Sequence, residues 1–169
     1  GIGSINSKVT IKVFSSLTCP ACANFHSKIF YQVKEEFIDK GLVRFEHHPF
    51  PLDLAALNAE IIVRCHVDNI KKFELLGKIY EKQKLWAVGS DINKINDSIK
   101  KIGLEANLSN KDMDDCLKDE NKQDEILNQR INAQKKYEIG STPTIFINEK
   151  KYKGRVEYSE FKKILEKNL

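Results

Sequence analysis

Cys19-Pro20-Ala21-Cys22 places two thiols with two residues between them. The pair follows the apolar-rich run Val9-Thr10-Ile11-Lys12-Val13-Phe14 and opens the stretch from Ala23 to Asp39. It therefore sits where a strand hands over to a helix. The first turn of a helix has unpaired N–H groups and the positive end of the macrodipole, and both favour a thiolate over a thiol. At this spacing one sulfur can attack or leave while the other closes an intramolecular disulfide. Cys19 is assigned as the exposed nucleophile and Cys22 as the more buried resolving thiol, with Pro20 and Ala21 as the dipeptide between them. Lowering a cysteine pKa by about three units shifts the thiol–thiolate balance by roughly 4 kcal/mol, and a stabilised reduced form makes the disulfide a stronger oxidant. Half a zinc site is the competing use of such a pair. It needs two further ligands, typically a second close pair, whereas Cys65 and Cys116 are single, far apart and embedded in helical patterns. No metal site is assigned, and the exchange calls for no cofactor.

The elements that must hold this pair are legible on both sides of it. Val9 to Phe14 reads as a buried strand, and Phe25, Ile29, Val33 and Phe37 recur at steps of four as one face of a helix. Gly41 ends that helix, and Leu42 to His47 alternates as a second strand before Pro49 and Pro51 break the pattern. A β-α-β start implies a parallel pair. From Leu54 to Tyr137 the pattern is helical throughout. One helix carries Phe73, Leu76 and Tyr80; another carries Ile92, Ile95, Ile99 and Ile102, with Ser90 or Asp91 as its cap and Gly103 as its stop. A third begins at Ser109, and a longer one runs from about Lys122 to Tyr137. Strand character returns at Thr144 to Ile147, followed by the turn Asn148-Glu149-Lys150, a short strand near Tyr152 and a closing helix from about Tyr158. The fold class is α/β, a strand-bearing domain interrupted by an all-helical insertion.

Bulk properties narrow the function classes. The 169 residues suffice for one substantial core, and 41% hydrophobic with 31% charged residues is ordinary for a soluble globular chain. The net charge of +4 comes from 28 basic and 24 acidic residues spread along the chain, with no localised basic stripe, so no nucleic-acid partner is expected. No apolar run reaches the ~20 residues that span a bilayer. A start of Gly1-Ile2-Gly3-Ser4 without methionine suggests a processed or truncated product from which an export signal was removed. Four cysteines, an even number, fit two disulfides in an oxidising compartment and also suit a cytosolic enzyme.

Ser141-Thr142-Pro143-Thr144 forms a second constellation, because a proline entering a central strand cannot donate to the ladder. With Ser16 to Cys22, Pro49-Phe50-Pro51-Leu52-Asp53, Gly140 to Asn148, and Gly154 before the closing helix, it carries a resemblance over nearly the whole chain. The sequence resembles the DsbA-like thiol–disulfide oxidoreductases of the thioredoxin fold. The resemblance implies a thioredoxin domain in two parts, 1–53 and 138–169, around a helical insertion at 54–137. It implies that Pro143 is cis beside the cysteine pair, that Thr142 and Pro143 line the substrate site, and that the insertion's face beside Cys19 shapes a peptide groove. The implied setting is the bacterial periplasm. The implied partners are unfolded or partly folded exported proteins with cysteines, and a membrane quinone-linked re-oxidase or a reductant. Related proteins carry a second disulfide in the insertion, which favours Cys65–Cys116 as a structural bridge over two buried free thiols. With 51 positions between them it would contribute ~3 to 4 kcal/mol in the chain-entropy picture.

The chain departs from the strong oxidants of that family at two positions. Ala21 stands where they have His, and Val13 stands where they have a buried acidic residue. A less acidic Cys19 and a less oxidising disulfide are expected. Lys12 and Glu46 compensate for the lost carboxylate only if they point inward. His26 reads as a helix-surface or groove residue, and His47, His48 and His66 as structural or exposed; Trp86, Phe14, Phe25 and Phe37 read as core. Leu17 is a candidate for an exposed apolar patch. The expected activity is disulfide formation. The rivals are a disulfide isomerase, an oligomer whose N-terminal segment is absent here, supported by threonine at 142, and a module binding metal through Cys19 and Cys22.

Overall fold

β1 (Val9–Ser15) sits inside a four-stranded sheet ordered β2-β1-β3-β4. The computed structural model describes residues 1–169. β2 (Val43–Pro49) pairs parallel to β1, with Val13 opposite His47, and β3 (Thr144–Ile147) pairs antiparallel to it, with Val13 opposite Ile145. Val9, Ile11 and Val13 are buried on one face and Phe14 on the other, as a strand covered on both sides requires. β2 runs on through His48 to Pro49, beyond the break expected there. On the edge away from β1 it is bridged by Ile2 at Phe45 and has no strand beside Pro49, so the missing proline N–H costs no ladder bond there. β3 turns into β4 (Lys150–Lys151) through Asn148 and Glu149, both at positive φ (48° and 66°), the two-residue geometry that matches strand twist.

The helix after the cysteine pair holds its buried face by changing its winding. α1 (Pro20–Phe25) passes through a π turn (His26–Phe30), α2 (Tyr31–Val33) and a second π turn (Lys34–Ile38). Four-residue steps drift by about 40° each on an α-helix of 3.6 residues per turn. The wider π turns absorb that drift, and Phe25, Ile29, Val33 and Phe37 all stay buried against the sheet with Phe161 and Leu165 of α9 (Tyr158–Lys167).

Between β2 and β3 lie α3 (Leu54–Val63), α4 (Asn69–Glu81), α5 (Gln83–Trp86), α6 (Ile92–Glu105), α7 (Asn110–Lys118) and α8 (Glu120–Tyr137). Asp53, Asp68, Asp91, Ser109 and Asp119 each cap the helix that follows by accepting a backbone N–H. Gly103 is not a stop. It lies inside α6 where Met113 of α7 packs so closely that a side chain would collide with the sulfur, and the chain leaves the helix at Asn107 with φ 68°. Cys65, just beyond α3, is joined to Cys116 of α7 with 6.2 Å between their Cα atoms. Leu17 and Cys22 are buried in the core built by these helices, so α1 starts where the sheet and the helical segment meet.

Candidate active site

Cys19 caps α1 from an extended conformation, φ −79° and ψ 118°, and Pro20 occupies the first turn, where its missing N–H has no helical partner to lose. The Cys19 carbonyl accepts from the N–H groups of Cys22 and Ala23, both at 3.1 Å. Its thiol is half-buried and reaches the Thr142 carbonyl at 3.5 Å, across 123 positions of sequence. The Cys22 thiol is buried, at 2% exposure. The Thr142–Pro143 bond is cis.

The two thiols have opposite acidities. Burial works against a thiolate at Cys19. The Thr142 side chain, the Cys22 thiol and the N–H groups of Cys22 and Ala21 outweigh it and hold Cys19 below the ordinary thiol range. Burial pushes Cys22 up to about 12, with the neighbouring Cys19 adding to the rise against a backbone contact from Ser16. A thiol held more acidic is the better nucleophile and leaving group, and one held less acidic keeps its proton longer.

The loop before Cys19 is fixed by Gln83, which carries no motif, and by Ser16, Thr18 and Asp53. Gln83 of α5 donates from Nε2 to the carbonyls of Leu17 (2.8 Å) and Cys19 (3.0 Å), and is itself buried. The Thr18 hydroxyl donates to Asp53 at 3.0 Å, and Asp53 also caps α3, so the loop is tied to the start of the helical segment. Ser16 Oγ accepts from the Leu52 N–H at 3.2 Å. An amide between two lysines gives no sequence signal for this role.

Several expectations fail here. Leu17 is fully buried rather than part of an exposed patch, because its carbonyl is held by Gln83 and its side chain enters the helical core. His26 is no surface residue. It is 4% exposed, stacks on Phe30 with ring centroids 4.3 Å apart, and lies 5.0 Å from the ring of Tyr80. It also lines a cleft of about 780 Å³ beside α1 with Pro20, Ala23, Tyr31 and Lys84. Neither Lys12 nor Glu46 replaces the carboxylate missing at Val13. Lys12 pairs with Glu149 and Tyr137, and Glu46 bonds Arg44 and His48, each at 3.0 Å. The unforeseen carboxylate is Glu60, 1% exposed in α3, whose oxygen lies 2.5 Å from His47 Nε2. Its sequence signal is a lone acid inside the apolar run Leu54–Val63.

A sheet of this order, an acidified thiol at a helix start and a buried partner thiol define a thiol–disulfide oxidoreductase of thioredoxin fold with a helical insertion. The sequence pattern of the family described as thioredoxin matches residues 1–167, and the chain belongs to that family, in its DsbA-like branch. The disulfide bond formation protein D of Bacillus subtilis is 32% identical over 177 residues, covering 99% of this chain and 76% of that protein. A putative protein-disulfide oxidoreductase of Rickettsia bellii is 29% identical over 87% of this chain and 56% of its own length, so the chain spans little more than half of that relative. The crystal structure of alpha-DsbA1 from Wolbachia pipientis superposes with a TM-score of 0.90 at 25% identity, covering 98% of this chain and 88% of that one.

Proposed function

We propose that this protein introduces disulfides into exported proteins in the periplasm. A substrate thiolate attacks the Cys19 sulfur of the Cys19–Cys22 disulfide, and the electron pair of the broken bond goes to Cys22. A second substrate thiolate then attacks the substrate sulfur of the mixed disulfide and releases Cys19 as its stabilised thiolate. The substrate leaves oxidised, and both active-site thiols are left reduced. Cys19 is the sulfur attacked and released here and the nucleophile when the disulfide is re-formed, Cys22 is the resolving thiol of that return step, Pro20 and Ala21 are the dipeptide that spaces them, and Thr142 with Pro143 is the wall against which substrate backbone lies. A membrane quinone-linked re-oxidase restores the disulfide.

The observation that carries this reading is the acidity of Cys19 beside a suppressed Cys22, because a stabilised reduced form makes the disulfide oxidising. The Cys65–Cys116 bridge suits an oxidising compartment. No helix is long and apolar enough to cross a membrane. Thr142 favours the second reading, an isomerase, since isomerases of this fold often have threonine there. A metal held by Cys19 and Cys22 would find no third His, Cys, Asp or Glu within reach. The test compares rates on reduced and scrambled ribonuclease. An oxidase regenerates activity from the reduced substrate; action on the scrambled substrate alone would make the protein an isomerase, and inactivity on both would overturn the exchange reading.

A further inference from the structure

Cys22 must lose its proton whenever it closes the disulfide with Cys19, and the position that holds a buried acid in related strong oxidants is Val13 here. The structure offers a different route on the side of β1 that faces α3 and α4. Ser16 donates its N–H to Cys22, and the adjacent Ser15 hydroxyl lies 2.6 Å from the Tyr80 hydroxyl and 3.5 Å from His47 Nδ1. His47 Nε2 in turn lies 2.5 Å from Glu60. Cys22 and Tyr80 belong to one buried cluster.

With Glu60 ionised and His47 neutral, one set of donor roles satisfies this chain. A carboxylate only accepts, so His47 donates Nε2–H to Glu60; Nδ1 then accepts from the Ser15 hydroxyl, and Ser15 accepts from Tyr80. Every link points away from Cys22 and toward Glu60. The Tyr80 oxygen is left with lone-pair capacity for a proton arriving from the Cys22 side. Resting on the proposed exchange reaction, we infer that Tyr80, Ser15, His47 and Glu60 form a relay that takes the Cys22 proton to Glu60 during disulfide closure.

The step balances. In a mixed disulfide at Cys19, the Cys22 thiol turns to the Tyr80 hydroxyl, to which it is not hydrogen-bonded in the resting pair, and gives it its proton; Tyr80 gives its own to Ser15, Ser15 to His47 Nδ1, and His47 Nε2 to Glu60. The Cys22 thiolate then attacks the Cys19 sulfur, the bond from Cys19 to the departing thiol breaks, and that thiol leaves as a thiolate. Run backward, the loaded relay protonates Cys22 when it is the leaving group. Tyr80 suits a neutral carrier. Burial first, and then the nearby Cys22, raise it well above the ordinary phenol range, so it hands protons on without remaining ionised.

The far end of the relay opens on a cavity of about 270 Å³, lined by His47 and Glu60 together with Arg64, Lys72, Lys122 and Glu125. With the Gly1 amino group, which also lines it, these are the charged groups that face Glu60; Cys19, Cys22, Glu60 and His26 surround Tyr80. The cavity gives the proton a way out that does not cross the Cys19 face, which bound substrate would cover.

The experiment mixes reduced protein with oxidised glutathione between pH 5 and pH 9. It separates attack by Cys19 from release of the second glutathione by Cys22, for the wild type, Glu60→Gln and Tyr80→Phe, with unfolding curves for each. Both variants are expected to leave the Cys19 step unchanged. They should slow the Cys22 step about 10-fold or more below pH 8 and converge on the wild type as hydroxide takes over. Ser15→Ala serves the same purpose if Glu60→Gln does not fold. Wild-type closure rates in the variants, a pH-independent loss, or a defect in Glu60→Gln that Tyr80→Phe does not share would overturn the relay. Absence of the Cys19 step in the wild type would instead overturn the proposed function.

Discussion

His26 shows how one buried side chain sets a pH limit. Burial, and secondarily the nearby His47, lower its pKa to about 3 from the ordinary 6.5, and its Nε2 has no hydrogen-bond partner. The folded state therefore keeps His26 neutral while the unfolded chain takes up a proton below about pH 6.5. Its contribution to stability is complete above that pH and is lost as the pH falls toward 3. At pH 4.5 the loss amounts to about 3 kcal/mol. His26→Phe, which keeps the stack on Phe30, should remove most of this, so urea unfolding at pH 7 and pH 4.5 should differ less in the variant. An equal loss in both proteins would contradict the assignment. The sequence placed His26 on a helix but not in the interior, because its four-residue spacing from Cys22 says nothing about Tyr80 arriving from α4. Gln83 and Glu60 escaped for the same reason: the groups they hold lie far along the chain.

At the scale of elements, periodicity and caps were the legible part. The apolar spacing of the helices, Asp91 as a cap, a helix start at Ser109 and the strands before and after the Cys19 helix could be read because those signals are local. Gly103 misled because a glycine that ends a helix and one that admits a neighbour's sulfur look alike in sequence. The link between α3 and α7 is the element-scale feature with the largest expected effect on stability. Closing a loop of 51 positions with Cys65–Cys116 removes about 4 kcal/mol of unfolded-state entropy. The double variant Cys65→Ala with Cys116→Ala should unfold at a temperature lower by about 10 °C, with Cys19–Cys22 exchange retained. An unchanged midpoint would show that helix packing alone holds the segment.

At the scale of the molecule, the two strand-bearing ends of the chain meet around Cys19, and the helical segment supplies Gln83 and Glu60 to the same junction, with Asp53 at its entrance. The fold was legible from the conjunction of motifs, because together they carry the resemblance to the DsbA-like oxidoreductases of the thioredoxin fold. The acidity of the site was not, because it depends on contacts such as that of the Thr142 side chain with Cys19, 123 positions apart. That acidity is the centre of the account, and the equilibrium of the Cys19–Cys22 disulfide with a glutathione redox buffer tests it most directly. A stabilised reduced form predicts an oxidising pair, with a reduction potential less negative than about −230 mV. A potential of about −230 mV or lower would place the pair with the reductants and contradict the account.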